Sequence, residues 1–218
     1  IKRIDRSKII MGFYIPGSHN IVDMDTCPVL DDHINSTLKT IKRDIQSTNW
    51  HANPDYGKSN CLRYISVRIG YYTGELLITI VSRNNNLPGV DQIASKWMKS
   101  FNGLVGVLLN VNRNQGNAIF GSETILINGS STLSDYFCGL SYRLASDTFF
   151  QVNIPLAELA VKRICKWFSD LQYQNLIIDA YCGIGTISLP LACKALNVVG
   201  IEINTKSIEL AKLNAINN

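Results

Sequence analysis

The chain has 218 residues, 46% of them hydrophobic and 17% charged, a composition that supports a buried core and excludes intrinsic disorder. Its formal net charge of +4 permits a polyanionic partner without demanding one, and no apolar run is long enough to span a bilayer, so no membrane partner is expected. Six cysteines (Cys27, Cys61, Cys138, Cys165, Cys182 and Cys193) lack CxxC spacing and several sit inside apolar patterns, which reads as reduced thiols of a cytoplasmic protein.

Residues 10–25 place Gly12, Pro16 and Gly17 between short apolar pieces and read as strand, turn, strand. In residues 32–47, Ile34, Leu38, Ile41 and Ile45 recur at helical spacing, with Asp31 or Asp32 as the cap. Residues 49–58 are turn-like. Residues 61–69 and 75–81 are rich in β-branched and aromatic side chains and predict a hairpin through residues 70–74. A second amphipathic helix is expected over residues 91–102, with Gly103 as its stop, followed by a strand at 104–111. After a polar loop at 112–117, the pieces 118–120, 124–128 and 140–144 read as further strands. This order describes an α+β domain over residues 1–147.

The character changes at Asp147. Phe149, Phe150, Gln151, Val152 and Asn153 lead into an apolar helical stripe over residues 155–171, with Asn153 and Pro155 as start signals. Residues 176–204 then read as strand, glycine turn, helix, strand. Such a unit puts a tight turn at the carboxyl end of a parallel strand, where nucleotide-like ligands bind in open α/β sheets. Gly183 and Gly185 form the turn, and Ser188 stands where a dinucleotide fingerprint needs its third glycine. Asp179 before the turn would repel a pyrophosphate but suits a sulfonium or ammonium group, which favours S-adenosylmethionine over a nicotinamide dinucleotide. Glu202, 23 positions after Asp179, stands where a carboxylate can accept from ribose hydroxyls. A doubly wound sheet without a cofactor is the structural alternative.

The segments Asp147-Thr-Phe-Phe-Gln-Val-Asn153, Asp179-Ala-Tyr-Cys-Gly-Ile-Gly185 and Gly200-Ile-Glu-Ile-Asn204, in this order, resemble the RNA uracil-5-methyltransferases that modify large-subunit ribosomal RNA or transfer RNA. Upstream, Gly12-Phe-Tyr, Cys27-Pro28, Leu62-Arg-Tyr, Thr73-Gly-Glu75 and Gly121-Ser-Glu123 are similar to that family's central domain. The resemblance implies an α/β Rossmann-like class I methyltransferase domain, of which residues 148–218 are the first part, preceded by an RNA-facing α+β central domain at residues 1–147. It implies that Gln151, Tyr181, Thr186 and Glu202 contact S-adenosylmethionine, joining Asp179, Gly183 and Gly185. Thr186 stands at a position where asparagine or another small polar residue is common in the related proteins. Core packing is the expectation for Phe149 and Phe150.

The family's chemistry adds a thiolate to C6 of uracil before methyl transfer to C5. The resemblance places both the nucleophilic cysteine and the base glutamate beyond Asn218, so no catalytic residue is assigned in this chain, and the chain alone is expected to be inactive. Cys182, beside a helix start, is the one thiol here with a case for lowered pKa; packing under the turn is its other reading. Some relatives bind a [4Fe-4S] cluster, with one ligand in a Cys-Pro segment like Cys27-Pro28 and three further upstream; an ordinary buried thiol is the alternative for Cys27.

The expected function is therefore formation of 5-methyluridine in ribosomal RNA of the 23S type. A transfer-RNA methyltransferase, a methyltransferase acting on protein or a small molecule, and a non-catalytic RNA-binding module are the alternatives. The first residue is Ile1 and the chain stops after two strands of a larger sheet, so it reads as part of a longer, monomeric protein. Lys39, Lys42, Arg43, Lys58, Arg63, Arg68, Lys96, Lys99 and Arg113 could meet phosphates, and Trp50, Tyr56, Tyr71 and Tyr72 could stack on bases. None of these is singled out.

Overall fold

Asp31 starts the first long helix by accepting the backbone N–H of His33 at 2.8 Å, and the stripe anticipated from sequence turns Ile41 and Ile45 fully into the core. The computed structural model describes residues 1–54, 61–114, 116–170, 176–195 and 197–218, and divides into two units. The first comprises Ile1–Ile69 and Leu76–Ser131, the second Gly70–Glu75 and Thr132–Asn218.

In the first unit, β1 (Lys2–Arg3) and β2 (Ile9–Ile10) form a small antiparallel ladder ahead of helix α1 (Asp32–Gln46). The Arg3 guanidinium donates to the carbonyls of Ile45 (2.8 Å), Thr48 (2.9 Å) and Trp50 (2.8 Å). It thereby satisfies acceptors that a helix end leaves without intrahelical partners, and ties the ladder to α1. A mixed five-stranded sheet follows in the order β3 (His51–Ala52), β4 (Cys61–Ile69), β5 (Leu76–Ser82), β6 (Leu104–Val111), β7 (Glu123–Gly129). The β4–β5 and β6–β7 pairs are antiparallel; β5 and β6 run parallel, linked by helix α2 (Val90–Ser100). Every residue of β5 is buried, as a central strand requires.

Ile41, Ile45, Ile78, Ile80, Ala94, Trp97, Val107 and Leu109 share one apolar cluster. Asp44 is buried beside it and accepts from the Trp97 indole at 3.0 Å and from Lys96 at 2.8 Å, so α1 and α2 are joined through a satisfied carboxylate. Two sequence expectations fail in this unit. Residues 118–120 form no strand, because the Asn112 amide donates to the carbonyls of Ala118 (2.7 Å) and Ile119 (2.9 Å) and so takes the acceptors a ladder would use. Within residues 10–25 the two strands reduce to β2 and an isolated bridge between Tyr14 and Ile21.

The second unit opens with the antiparallel hairpin β8 (Thr132–Phe137) and β9 (Leu140–Ala145), so the hairpin preceding Asp147 goes with the downstream elements. Its buried rings Phe137 and Tyr142 pack with Phe150 at centroid distances of 5.7 to 6.1 Å. The loop Gly70–Glu75 joins this unit because Asp135, 1% exposed, accepts the backbone N–H groups of Tyr71 (2.7 Å), Tyr72 (2.9 Å) and Thr73 (3.4 Å). Helix α3 (Ile154–Ser169) begins as expected: Asn153 caps it by accepting from Leu156 N at 3.2 Å, with Pro155 in its first turn. Leu171, assigned from sequence to the end of that stripe, lies outside the described residues.

Next come β10 (Ile177–Ala180), the short helix α4 (Ser188–Ala192), β11 (Val198–Ile201) and α5 (Thr205–Ile216). Strands β10 and β11 are parallel, with Asp179 opposite Gly200. This is the opening of a Rossmann-like parallel α/β sheet. No helix among the described residues is long and apolar enough to cross a membrane.

Candidate cofactor-binding site

The turn after β10 is built from left-handed backbone. Tyr181 has φ +66°, Gly183 +55° and Gly185 +91°. Glycine adopts these angles freely, whereas at Tyr181 the side chain is held at a conformational cost of about 1 kcal/mol or more. Two hydrogen bonds enforce it: the N–H groups of Tyr181 and Cys182 both donate to Ile201 O, at 2.7 and 3.0 Å. The ring of Tyr181 is 88% exposed. A strained residue with an exposed aromatic side chain makes Tyr181 a candidate ligand contact.

Glu202 is the first residue beyond β11, one step past the strand expected to carry it. Its carboxylate accepts from Asn204 N at 2.9 Å and from Gly183 N at 3.1 Å. These two backbone donors, Asn204 first, hold its pKa below the usual carboxylate range. Each oxygen thus takes one amide and retains acceptor capacity toward solvent. Asn204 in turn caps α5, accepting from Ser207 N at 3.1 Å. That pairing of Glu202 with a helix cap was readable in the Asn-x-x-Ser spacing but not singled out from sequence.

Asp179 stands just before the turn, and its carboxylate accepts from the Ser188 hydroxyl at 2.5 Å. Ser188, which in the sequence only marks a missing glycine, therefore has a task of its own. Thr186 is buried, while Gln151 is half-buried with no protein partner for its amide among the described residues. Phe150 packs in the core as expected; Phe149 does not, being largely exposed.

Cys182 is buried against Gly200: a Cβ added to Gly200 would lie 2.7 Å from its sulfur. Burial, then the nearby Asp179 and Glu202 carboxylates, push its pKa up. This is the environment of a packed thiol rather than a nucleophile. Behind the turn, the Tyr142 hydroxyl donates to Gly185 O at 3.3 Å, and the fully buried Asn214 bridges Ile184 O (3.3 Å) and the backbone of Arg143, whose N–H it accepts at 2.7 Å. Neither Tyr142 nor Asn214 stands out in the sequence, since each acts across more than 25 residues of chain.

The remaining sequence candidates separate cleanly. Trp50 is 2% exposed and donates its indole N–H to Pro88 O, so it cannot stack on a base. Arg63 is 3% exposed and spends its guanidinium on the carbonyls of Pro54, Asn112 and Asn114, so it is no phosphate contact. Tyr71 and Tyr72 are about half exposed and meet edge to face at 4.9 Å. Tyr56 and Lys58 lie outside the described residues. Cys27 is buried, with its N–H on Asn35 Oδ1 at 2.9 Å; among the described residues no group of three His, Cys, Asp or Glu side chains could hold a metal.

The family profile of the tRNA (uracil-5-)-methyltransferases matches residues 72–218. The chain belongs to this family. It is 41% identical over 215 residues to an uncharacterized RNA methyltransferase of Parasynechococcus marenigrum, covering 99% of this chain and 46% of that protein. A second relative, an uncharacterized RNA methyltransferase of Nostoc sp., is 40% identical over 95% of this chain and 45% of its own length. The chain thus spans about half the length of the curated relatives it matches. Among solved structures, the Pyrococcus abyssi tRNA (uracil-54, C5)-methyltransferase in complex with S-adenosyl-L-homocysteine superposes with a TM-score of 0.69 at 25% identity, covering 91% of this chain and 47% of that one.

Proposed function

We propose that this tRNA (uracil-5-)-methyltransferase family chain forms the S-adenosylmethionine-binding half of an enzyme that makes 5-methyluridine in RNA. The observation that carries the reading is the Glu202 carboxylate, fixed by Gly183 N and Asn204 N beside the strained, exposed Tyr181. The residues fit the group. A ribose diol needs a charged acceptor with free lone pairs, supplied by Glu202; an adenine needs apolar surface, offered by Tyr181 and the exposed Ile203. The glycine turn, positive in φ at Gly183 and Gly185, lets the backbone approach a ligand closely. Asp179 would add negative charge that suits a sulfonium or ammonium group, and the amide of Gln151, without a protein partner among the described residues, would be a further polar contact. Thr186 is the weakest member of the set, being buried.

When bound, the cofactor supplies an electrophilic methyl group. This chain's part is to bind and orient it: Glu202 by hydrogen bonding, Tyr181 by packing, Tyr142 and Asn214 by fixing the turn. Cys182 takes no covalent role, and no residue of this chain is assigned as the attacking thiolate or the base. Cys27 is one ligand where an iron–sulfur cluster takes four, and among the described residues no group of three His, Cys, Asp or Glu side chains could hold a metal.

For the substrate, the first reading is ribosomal RNA of the 23S type, and it rests on the resemblance alone. Transfer RNA is the second reading, favoured by the substrate in the name of the Pyrococcus abyssi enzyme. Calorimetry of the intact protein with S-adenosylhomocysteine tests the cofactor, and absence of binding rejects it. Mapping 5-methyluridine in ribosomal and transfer RNA from cells lacking the gene decides the substrate: loss of a ribosomal site supports the first reading, loss of a transfer-RNA site the second, and an unchanged map overturns both.

A further inference from the structure

An open cleft of about 610 Å³ lies in the first unit between the β1–β2 ladder and one face of α1. Its lining includes Arg6, Lys8, Lys39, Lys42 and Arg43 against two carboxylates, Asp23 and Asp25. The surplus of three positive charges is most of the formal +4 of the whole chain, concentrated at one place. Lys42 does not contribute to the open field: its ammonium pairs with Asp23 at 2.6 Å and Asp25 at 3.2 Å. Lys42 offsets one of the two carboxylate charges, and Arg6, Lys8 and Lys39 have no carboxylate within ion-pairing distance among the described residues. Arg43 reaches only Asp44, at 3.9 Å, and Asp44 is already occupied by Lys96 and the Trp97 indole.

The walls are held in place. Arg3 fastens the ladder to the carboxyl end of α1, and the Gln46 amide donates to Ser7 O across the cleft. Lys39 and Arg43 are four residues apart and so project from one face of α1, where like charges repel unless an anion sits between them. Fixed walls and exposed, unpaired cations on both sides suit a linear polyanion better than a small enclosed ligand.

Resting on the reading of the protein as an RNA methyltransferase, we infer that this cleft seats the sugar–phosphate backbone of the substrate RNA, with Arg6 and Lys8 on one wall and Lys39 and Arg43 on the other. The contacts are to phosphates, so they position the RNA without reading its sequence.

The test is the salt dependence with which the intact protein binds a fluorescein-labelled oligouridylate, followed by anisotropy. The double variant Lys39→Gln with Arg43→Gln should lower the slope of log K against log salt by roughly 1 to 1.5, since each phosphate of a single strand that is no longer neutralised removes about 0.7. Binding at low salt should weaken on the order of tenfold. As a charge-matched control, Lys166→Gln with Lys212→Gln removes two exposed cations elsewhere and should leave the slope unchanged. An unaltered slope in the cleft variant, or an equal fall in the control, overturns the assignment. S-adenosylhomocysteine affinity, measured on the same proteins, should stay constant. Its absence in the unmodified protein is the failure of the enzyme reading, a result separate from the slope.

Discussion

Gly183 donates its backbone N–H to Glu202 across 3.1 Å, joining the turn after β10 to the residue that follows β11. This contact shapes the turn and orients the carboxylate together. Glu202→Gln keeps the side chain's size, but either orientation of its amide sets an NH₂ against the N–H of Gly183 or Asn204, so affinity for S-adenosylhomocysteine should fall on the order of tenfold and the turn should loosen. Calorimetry beside a thermal melt separates the two effects.

The same carboxylate sets a pH dependence. Its pKa in the folded protein is depressed, so what its ionised form contributes is present above the unfolded value and is lost as pH falls through the folded value. Cofactor affinity should therefore stay flat from neutral pH down to the ordinary carboxylate range and decline only below it. A calorimetric pH series on Glu202→Gln should lack that acid limb.

Tyr181 predicts opposing changes in stability and binding. Tyr181→Gly relieves a left-handed backbone and removes the exposed ring, so stability should hold or rise by at most about 1 kcal/mol, because glycine's own entropy offsets part of the relief. Affinity for the cofactor should drop roughly tenfold with the loss of the packed ring. Denaturant titration and calorimetry moving in the same direction would sink the assignment.

Gly200 and Cys182 form a packing pair. Gly200→Ala should cost about 1–3 kcal/mol, since the new methyl meets the sulfur at 2.7 Å. Adding Cys182→Ala should recover part of that loss. Cys182→Ala alone should leave methyl transfer by the intact protein largely in place; abolition would make this thiol a reactant.

Asp135 predicts a loop that fails locally. In Asp135→Asn either orientation of the amide sets an NH₂ against a backbone N–H of residues 71–73, which should cost about 1–3 kcal/mol. Limited proteolysis should show earlier cleavage at residues 70–75 than elsewhere in the chain.

Local patterns carried most of the architecture. The Ile34–Ile45 stripe, the run that became β6 and the Asn153–Pro155 start of α3 were all readable, because each signal lies within a few residues of its effect. Strand β8 was not: its Thr-Leu-Ser-Asp-Tyr-Phe alternation contains a buried aspartate, which looks like turn chemistry until its three amide donors are located. The non-strand at residues 118–120 failed for the same kind of reason, a side chain from Asn112 overriding backbone preference. At the site, the glycines and Glu202 declared themselves by spacing. The braces Ser188, Tyr142 and Asn214 did not, because a polar residue acting from another element leaves no periodicity behind.

Membership of Gly70–Glu75 in the second unit has a consequence for how these two bodies can be separated. That unit is not contiguous along the chain, so no single cut at Ser131 releases it whole. A piece starting at Thr132 would carry Asp135 stripped of its donors, a buried anion facing nothing. Transplanting the second body into another protein would need a graft of two pieces, with the short loop brought along from the strands that flank it.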